Sequence, residues 1–228
     1  MSNIAKEKAN PSVTMSQIEH SIKINESPTY LFIKRSVDII GALLGIAILL
    51  LVFIIVSVAI KAGDPKGPVF FSQKRIGKNG KIFKMYKFRS MVANAEDQLE
   101  ELLKFNEVSG AMFKMKEDPR VTSIGRFIRK TSIDELPQLW NVVKGDMSIV
   151  GPRPPLLSEV KQYSDYDKQR LLVQPGCTGL WQVSGRSNLD FPQMVQLDLK
   201  YIQNRSFLLD MKIIFKTFRV LLGSKDAF

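Results

Sequence analysis

The chain has 228 residues, enough for one domain with a membrane element, and its 33 Lys and Arg against 22 Asp and Glu give a net charge of +11. This charge favours anionic partners, namely nucleic acid, a phospholipid surface or a phosphorylated substrate. A single cysteine and a single histidine exclude an internal disulfide and argue against a histidine triad or a His/Cys zinc site, so any metal should be a hard ion with oxygen ligands.

The first 28 residues are polar and lack a sustained hydrophobic period, which predicts a largely disordered tail. An aromatic and basic collar follows this tail, formed by Tyr30, Phe32, Lys34 and Arg35. Collars of this kind are typical of the interface between a membrane and water. The collar therefore indicates that a membrane element begins here.

Residues 39–60 form an apolar run of 22 residues without a charged side chain. That length lies at the threshold for a helix that spans a bilayer. Basic residues flank both ends, so the positive-inside rule gives no orientation, and both a spanning helix and a re-entrant one stay open. Gly41 and Gly45 have the GxxxG spacing, which could support a homodimer, although small residues are common in membrane helices anyway.

Local patterns behind the run predict a helix-rich α+β fold. Breakers at residues 63–68 precede two alternating segments joined by Lys78-Asn79-Gly80, which predict a β-hairpin. A turn-rich loop is expected at residues 173–179 and a short strand at residues 180–183. Amphipathic periodicity predicts further helices, and the last of them suits either the membrane interface or the core; they cover residues 94–105, 123–129, 191–204 and 208–222.

Two adjacent carboxylates, Asp134 and Glu135, stand out in the stretch 129–154. They have structural explanations: Ser132 and Glu135 can form a capping box, or Asp134 can cap a helix with Pro137 in its first turn. The functional alternative is that neighbouring helical side chains point about 100° apart, so the two carboxylates can border one pocket as nucleophile and as Mg²⁺ ligand. A helix N-terminus would lower the pKa of such a carboxylate and keep it ionised.

Basic residues at the ends of predicted elements or in turns form a second candidate group. Each alone is explained by solvent exposure, but together around a pocket they would supply the cationic lining that a diphosphate requires. A rigid Gly-Pro-Arg-Pro turn also fixes the backbone on both sides of one of them. The group consists of Lys87, Arg89, Arg129, Arg153 and Arg186. No nucleic-acid-binding motif accompanies these charges, so we expect no nucleic-acid partner.

Three segments in order behind the apolar run, KIFKMYKFRSM, TSIDELPQLWNVVKGDMSIVGPRP and QPGCTGLWQVSGR, resemble the bacterial sugar transferase family over residues 34–222. These are monotopic polyprenyl-phosphate phosphoglycosyl transferases of the bacterial inner membrane. The resemblance implies transfer of a phosphosugar from a UDP-sugar to undecaprenyl phosphate, with release of UMP, as the first membrane step of exopolysaccharide, capsule, O-antigen or glycoprotein glycan assembly. A membrane-anchored scaffold subunit without turnover is the alternative.

The resemblance also implies roles for particular residues. In the family, the Asp of the dyad attacks the donor phosphate and forms a covalent phosphosugar intermediate; here it is Asp134, with Glu135 as its partner. Asp210 would join the two as a ligand of Mg²⁺, and Lys87, Arg129 and Arg153 match other charged positions of the family site. The implied division is a polar tail (1–28), a membrane helix among membrane lipids (29–62) and a catalytic domain facing the cytoplasm (63–228).

One departure from the family pattern concerns the membrane helix. Small members bend this helix with a Ser-Pro pair, which would fall near Leu50 and Leu51, but no proline occurs there. Proline is a common cause of sharp helix kinks. The sequence therefore predicts a straighter helix that could span the membrane.

Overall fold

Helices dominate the part of the chain that the structure, a computed structural model, describes: residues 22–95, 97–102, 104, 115, 117–185 and 189–223. The helices there are α1 (Pro28–Ile48), α2 (Leu50–Gly63), α3 (Leu99–Leu102), α4 (Ser123–Lys130), α5 (Gln138–Lys144), α6 (Leu157–Val160), α7 (Asp165–Lys168), α8 (Phe191–Asn204) and α9 (Phe207–Gly223). The strands are β1 (Phe70–Ile76), β2 (Ile82–Phe88), β3 (Ser148–Val150) and β4 (Gly176–Thr178). The predicted helix-rich α+β class is confirmed.

The predicted apolar helix is two helices, α1 and α2, that meet at Leu49 with a bend of 60°. In the described ranges no single helix is long and apolar enough to cross a bilayer, whereas this bent pair reaches the required length and hydropathy together. Leu49 adopts φ −91° and ψ 7°, so the helix is interrupted there without a proline. The expectation of a straighter helix is wrong.

Helix α1 lies against α5 and β3, and its two glycines allow the close approach. A Cβ on Gly41 would come within 2.8 Å of the Ile149 side chain, and one on Gly45 within 3.1 Å of the Leu139 side chain. The GxxxG face is thus covered by the same chain. The spacing has an intramolecular explanation and lends no support to a homodimer.

Helix α2 packs on a different surface. Val56 and Ile60 share a buried cluster with Phe88 of β2 and Ile128 of α4. Because α1 and α2 are held by separate parts of the chain, tertiary packing fixes the bend that a proline fixes elsewhere. The faces that these contacts leave exposed are apolar around the bend, and comprise Ile40, Leu43, Leu44, Ile48, Leu50, Leu51, Ile54, Ile55 and Val58.

The predicted hairpin is confirmed by antiparallel pairing of β1 and β2, from Phe70 opposite Phe88 to Ile76 opposite Ile82. Its turn places Asn79 and Gly80 at φ 55° and 78°, a left-handed conformation that these residue types tolerate best. The hairpin therefore carries Lys78 at its turn and Lys87 at its open end.

The predicted strand at residues 180–183 is wrong, because Trp181–Val183 forms a 3₁₀ turn. The strand instead lies in the segment expected to be a loop, as β4, and pairs in parallel with β3. Parallel pairing joins segments that are distant along the chain, so a local pattern gives little indication of it.

The strands β3 and β4 continue into a close crossing of two glycine-containing segments. The Gly151 amide donates to the Thr178 carbonyl and the Gly176 amide donates to the Pro152 carbonyl, each at 2.8 Å. A Cβ on Gly151 would lie 2.4 Å from the Gln174 carbonyl oxygen, which no real side chain tolerates. The Gly-Pro-Arg-Pro turn and the Pro-Gly-Cys-Thr segment are therefore one structural unit.

The remaining predicted helices are confirmed where they are described. Helices α4, α8 and α9 match the predictions for residues 123–129, 191–204 and 208–222. The prediction for residues 94–105 falls partly outside the described residues, and its described portion includes α3. Helix α9 contributes to the core through Ile213, which is buried, and it also has an exposed apolar side chain, Phe215. Most of the predicted tail, residues 1–21, also lies outside the described residues.

Candidate active site

The carboxylate pair Asp134 and Glu135 lies in a 3₁₀ turn, Ile133–Glu135, between α4 and α5. Ser132 precedes it in a left-handed conformation, with φ 56°, and makes no side-chain capping hydrogen bond. Pro137, rather than Asp134, is the residue that caps α5. Both capping explanations are therefore wrong, and the pair needs another reason to be there.

Lys87, at the end of β2, lies beside both carboxylates. Its Nζ donates a hydrogen bond of 2.7 Å to Glu135 Oε1 and lies 4.0 Å from Asp134 Oδ2. The Asp134 side chain is 12% exposed, whereas the Glu135 side chain is 38% exposed. The two neighbouring carboxylates thus have different environments, and Asp134 has the drier one.

Burial raises the pKa of Asp134 from its ordinary value of 3.8 to about 6. The Lys87 ammonium opposes this rise, the Glu135 charge adds to it, and the Arg129 guanidinium opposes it. The expectation of a lowered pKa is wrong, since desolvation outweighs the favourable charges. A carboxylate with such a pKa is ionised at neutral pH yet poorly solvated, which is a feature of reactive groups.

Two more of the predicted cations lie on other elements, and the first of them acts on this pair. Arg129 lies in the last turn of α4, close enough for its charge to lower the pKa of Asp134. Arg153 lies in the rigid turn after β3, where its Nη1 is 3.3 Å from Glu159 Oε2. Glu159 also accepts the Leu156 amide at 2.8 Å, so this carboxylate holds both the arginine and the backbone beside it.

Arg75 of β1 is a functional candidate that the sequence did not single out. Its guanidinium is buried and donates to the Pro154 carbonyl at 3.0 Å and to Gln73 Oε1 at 2.7 Å. Burial and the neighbouring Arg153 charge lower the pKa of Arg75 to about 10, while Glu159 and Glu135 act in the opposite direction. The charge of Arg75 therefore interacts both with Arg153, in the turn after β3, and with Glu135 of the dyad. In the sequence it is indistinguishable from Lys74, its exposed neighbour.

Arg89, which was predicted to bind phosphate, is engaged in contacts within the protein. Arg89 is buried, with Nη1 2.6 Å from Asp64 Oδ2 and Nη2 donating to the Asp64 carbonyl at 3.0 Å. Gly67 leaves room for this guanidinium, since a Cβ there would lie 1.5 Å from Nη1. The pair lowers the pKa of Asp64 and fixes the chain at the end of α2, so we assign Arg89 a structural role.

Asp210 belongs to a separate cluster. It accepts hydrogen bonds from Tyr201 Oη at 2.7 Å, Tyr30 Oη at 3.0 Å and Lys34 Nζ at 3.1 Å. Among the described residues no group of three His, Cys, Asp or Glu side chains could hold a metal. The predicted three-carboxylate Mg²⁺ set is thus not assembled, because Asp210, on α9, is held by side chains of α1 and α8. Arg186, the last predicted phosphate ligand, lies outside the described residues.

Comparison with known proteins decides the family. The family model for bacterial sugar transferases matches residues 29–224, which is nearly the whole chain. The chain belongs to this family. The resemblance expected from the three sequence segments is confirmed.

Three relatives of this sugar transferase carry names that describe a transferase, a phosphotransferase and an exopolysaccharide production protein. The galactosyl transferase CpsE of Streptococcus agalactiae is 49% identical over 93% of this chain and 47% of its own length. The undecaprenyl-phosphate galactose phosphotransferase of Salmonella typhimurium is 43% identical over 86% of this chain and 42% of its own length. The exopolysaccharide production protein ExoY of Sinorhizobium fredii is 41% identical over 86% of this chain and 88% of its own length. The chain thus spans less than half of the first two relatives.

The site of this sugar transferase combines a desolvated carboxylate with cations from four elements. Lys87 and Arg129 act directly on the charge of Asp134. Arg75 and Arg153 form a second cationic pair on the side of Glu135. A carboxylate flanked by fixed positive charges is suited to lie close to an anionic phosphate, because the cations offset the repulsion between two negative groups.

Proposed function

We propose that this chain transfers a sugar phosphate from a UDP-sugar to undecaprenyl phosphate and releases UMP. The observation that carries the proposal is the buried Asp134 carboxylate, with a pKa of about 6, beside Lys87 and Arg129. The Salmonella relative is named for undecaprenyl phosphate and galactose, and another from Aeromonas hydrophila for undecaprenyl phosphate and N-acetylgalactosamine. Both sugars share the galacto configuration, so UDP-galactose is the first donor to test.

In the first half-reaction, an Asp134 oxygen attacks the phosphorus that carries the sugar. The bond between this phosphorus and the oxygen bridging to UMP breaks, and UMP leaves with the bonding electrons. The product is a phosphosugar joined covalently to Asp134, so the transfer is divided into two easier displacements. Lys87 and Arg129 offset the charge of the attacking and transferred groups, and Arg75 with Arg153 would receive the diphosphate.

In the second half-reaction, a phosphate oxygen of undecaprenyl phosphate attacks the same phosphorus. Asp134 leaves as a carboxylate, and the sugar remains on the lipid through a diphosphate. No proton has to be removed from the acceptor, because an ionised phosphate is already nucleophilic. Burial of Asp134 makes it a weakly solvated nucleophile in the first step, while the neighbouring Lys87 makes it an acceptable leaving group in the second.

Mg²⁺ fits this site as an ion shared between protein and donor. Magnesium in phosphoryl-transfer sites is commonly held by one or two carboxylates together with substrate phosphates, so Asp134 and Glu135 suffice without a third protein ligand. Neither residue is used to cap α5, and the Glu135 side chain is accessible to solvent. When bound, the ion would neutralise charge on the diphosphate. While Asp134 is joined to the phosphosugar, the Glu135 carboxylate would still bind the ion.

The bent helix pair would place this site at the cytoplasmic face of the bacterial inner membrane. The apolar surface around Leu49 is exposed, and α9 exposes Leu208, Phe215 and Phe218. A pair that bends and returns would insert from one side, so both termini should be cytoplasmic.

Topology can be tested with tags at the two ends of the chain. Both tags should be equally accessible to protease in sealed inverted vesicles, and access to only one would contradict re-entry. Detergent, but not high salt, should release the protein.

The transfer is tested with purified protein, Mg²⁺, undecaprenyl phosphate and a panel of UDP-sugars, with UMP release as the readout. Donor alone should give at most one UMP per protein, together with a mass increase equal to one sugar phosphate. Asp134→Asn should abolish both signals, and near-normal UMP release by this variant would refute the mechanism. Wild-type protein that binds a UDP-sugar without releasing UMP would instead support the scaffold alternative.

A further inference from the structure

A cavity of about 200 Å³ lies between α1, the hairpin turn and the start of the segment after α5, away from the carboxylate pair. Four cations line it: Lys34 and Arg35 of α1, Lys78 of the turn, and Arg205 between α8 and α9. None of these four residues has a part in the proposed transfer. The cavity therefore needs its own explanation.

The cavity is well separated from the dyad along two rigid elements. Helix α5 begins after Pro137, beside the dyad, and is capped at its other end by Gly145, which lines the cavity. This path is about 12 Å at 1.5 Å per residue. Strand β2 runs from Ile82, next to the turn, to Lys87 at the dyad, a distance of about 17 Å at 3.3 Å per residue. A ligand small enough for the cavity would not reach both places.

Arg205 provides the observation that points to a ligand. It is only 4% exposed, and among the described residues its Nη2 atom has no hydrogen-bond partner. Its Nε atom donates to the Asn25 carbonyl at 2.8 Å, which fixes the guanidinium. A buried guanidinium with an unsatisfied N–H is costly, so such a group is expected to meet an acceptor that the protein itself does not supply.

The guanidinium of Arg35 is also fixed by hydrogen bonds to the backbone, and within the described part of the chain its donors contact no carboxylate. Its Nη1 donates to the Val142 carbonyl at 2.7 Å and its Nη2 to the Val143 carbonyl at 2.9 Å. These neutral carbonyls fix the guanidinium at the C-terminal end of α5 but do not neutralise it. Lys34, by contrast, is paired with Asp210 at 3.1 Å. The remaining positive charge comes from the other three cations, of which Lys78 and Arg205 share the single carboxylate of Glu26.

Glu26 marks the place where an anion would sit. Its Oε1 atom lies 3.8 Å from Lys78 Nζ and 3.8 Å from Arg205 Nη2, beyond hydrogen-bond distance of either. The Glu26 side chain is 58% exposed, so it is held weakly between the two cations. An anion with more oxygens could hydrogen bond both cations and displace this carboxylate toward solvent.

We propose that this cavity binds the phosphate of a phosphate monoester or diester, with Arg205, Arg35 and Lys78 as its cationic ligands and Glu26 as the carboxylate that it displaces. A lipid head group is one source of such a phosphate, because Leu31 lines the cavity and Phe32, its neighbour in α1, is an exposed apolar residue. A soluble phosphate is the other. The site does not depend on the proposed transfer, and UMP release is not its readout.

The test measures dissociation constants of two probes, inorganic phosphate and dihexanoyl phosphatidylglycerol, on the purified full chain in a non-ionic detergent at fixed ionic strength. Lys78→Gln should weaken binding roughly tenfold, the order expected for one charge-assisted hydrogen bond. Glu26→Gln should tighten it, because the competing carboxylate is removed. Lys81→Gln is the matched control, an exposed lysine near the same turn that does not line the cavity, and it should change nothing.

The two probes separate the sources. Binding of the lipid but not of inorganic phosphate identifies a head-group site, and the reverse identifies a soluble ligand. Arg205→Gln should weaken whichever probe binds. If that buried substitution prevents folding, the variants at the less buried Lys78 and Glu26 still test the proposal. The proposal is overturned if neither probe binds the wild type, or if the Lys78 and Glu26 variants bind as the wild type does.

Discussion

The Lys87 ammonium is hydrogen bonded to Glu135, at 2.7 Å from its Oε1 atom. The Asp134 carboxylate lies farther from the same nitrogen, at 4.0 Å, and is the more deeply buried of the two acids. Lys87 therefore neutralises the exposed Glu135 more fully than the buried Asp134, and the pKa of Asp134 stays raised. This division of one positive charge between two acids leads to the first three predictions.

Replacing Asp134 by Asn should make the protein more stable while it abolishes transfer. The folded-state pKa of about 6 exceeds the ordinary 3.8, so the native state binds the proton more tightly and loses stability as the pH rises between these values. At pH 8 the uncharged amide avoids that loss, which amounts to roughly 1–3 kcal/mol. Thermal unfolding in detergent should show the gain at pH 8 and a smaller one near pH 4; a less stable variant at pH 8 would contradict the desolvation argument.

The rate of UMP release without acceptor should decrease as the pH falls below the pKa of Asp134. Only the ionised carboxylate attacks phosphorus, so single-turnover rates should decrease about tenfold per pH unit below the pKa of about 6 and level off above it. Rapid-quench measurements from pH 5 to 8 would define the limb. A rate independent of pH across this range would exclude Asp134 as the titrating nucleophile.

Lys87→Gln should slow the first half-reaction and shift its acid limb to higher pH. The Lys87 charge lowers the pKa of Asp134, so its removal leaves desolvation and the Glu135 charge less opposed. Lys84→Gln, an exposed lysine on the same strand, is the control and should leave both rate and limb unchanged. A lower rate with an unshifted limb would assign Lys87 to substrate binding alone.

Arg89 and Arg153 should separate stability from activity. Arg89→Met removes both contacts to Asp64, so the melting temperature should fall while kcat/KM per folded molecule stays near the wild-type value. Arg153→Met should lower kcat/KM for the donor about 10–100-fold, as expected for losing a phosphate contact, with a smaller change in melting temperature. If Arg89→Met lowered kcat/KM as Arg153→Met does, Arg89 would regain a role in binding phosphate.

Gly151→Ala should destabilise the fold strongly. The new methyl group would lie 2.4 Å from the Gln174 carbonyl oxygen, and a backbone atom cannot move aside as a side chain can. We expect a loss of about 3 kcal/mol or more. Gly63→Ala is the control, because its methyl group would meet only the Ile124 side chain, at 4.0 Å. Equal melting temperatures for the two variants would show that the crossing can relax.

Elements with local signals were predictable. Asn79-Gly80 between alternating segments identified the hairpin, and the Asp190 cap with Pro192 behind it explains why the start of α8 was predicted correctly. The dyad itself could be found because Asp134 and Glu135 are adjacent in the sequence. In each case the cause lies within a few residues of the effect.

Features that depend on distant contacts were not predictable. The bend at Leu49 follows from the packing of α1 and α2 on different surfaces, and β4 exists only because β3 lies beside it. The pKa of Asp134 is raised mainly by burial, which cannot be predicted from the residues next to it in the sequence. Arg75 and Arg89 are similar residues in the sequence, and only their partners show which one faces the site and which one is structural.

The salt bridge between Lys34 and Asp210 has a consequence for how the protein is made. These residues are 176 positions apart, so the first helix of the described chain leaves the ribosome long before its partner in the last helix. At about 5–20 residues per second, that interval is roughly ten to thirty seconds. During this time Lys34 lacks the Asp210 carboxylate that accepts its hydrogen bond in the folded protein. A nascent chain that stopped before α9 would leave this lysine exposed to chaperones or proteases.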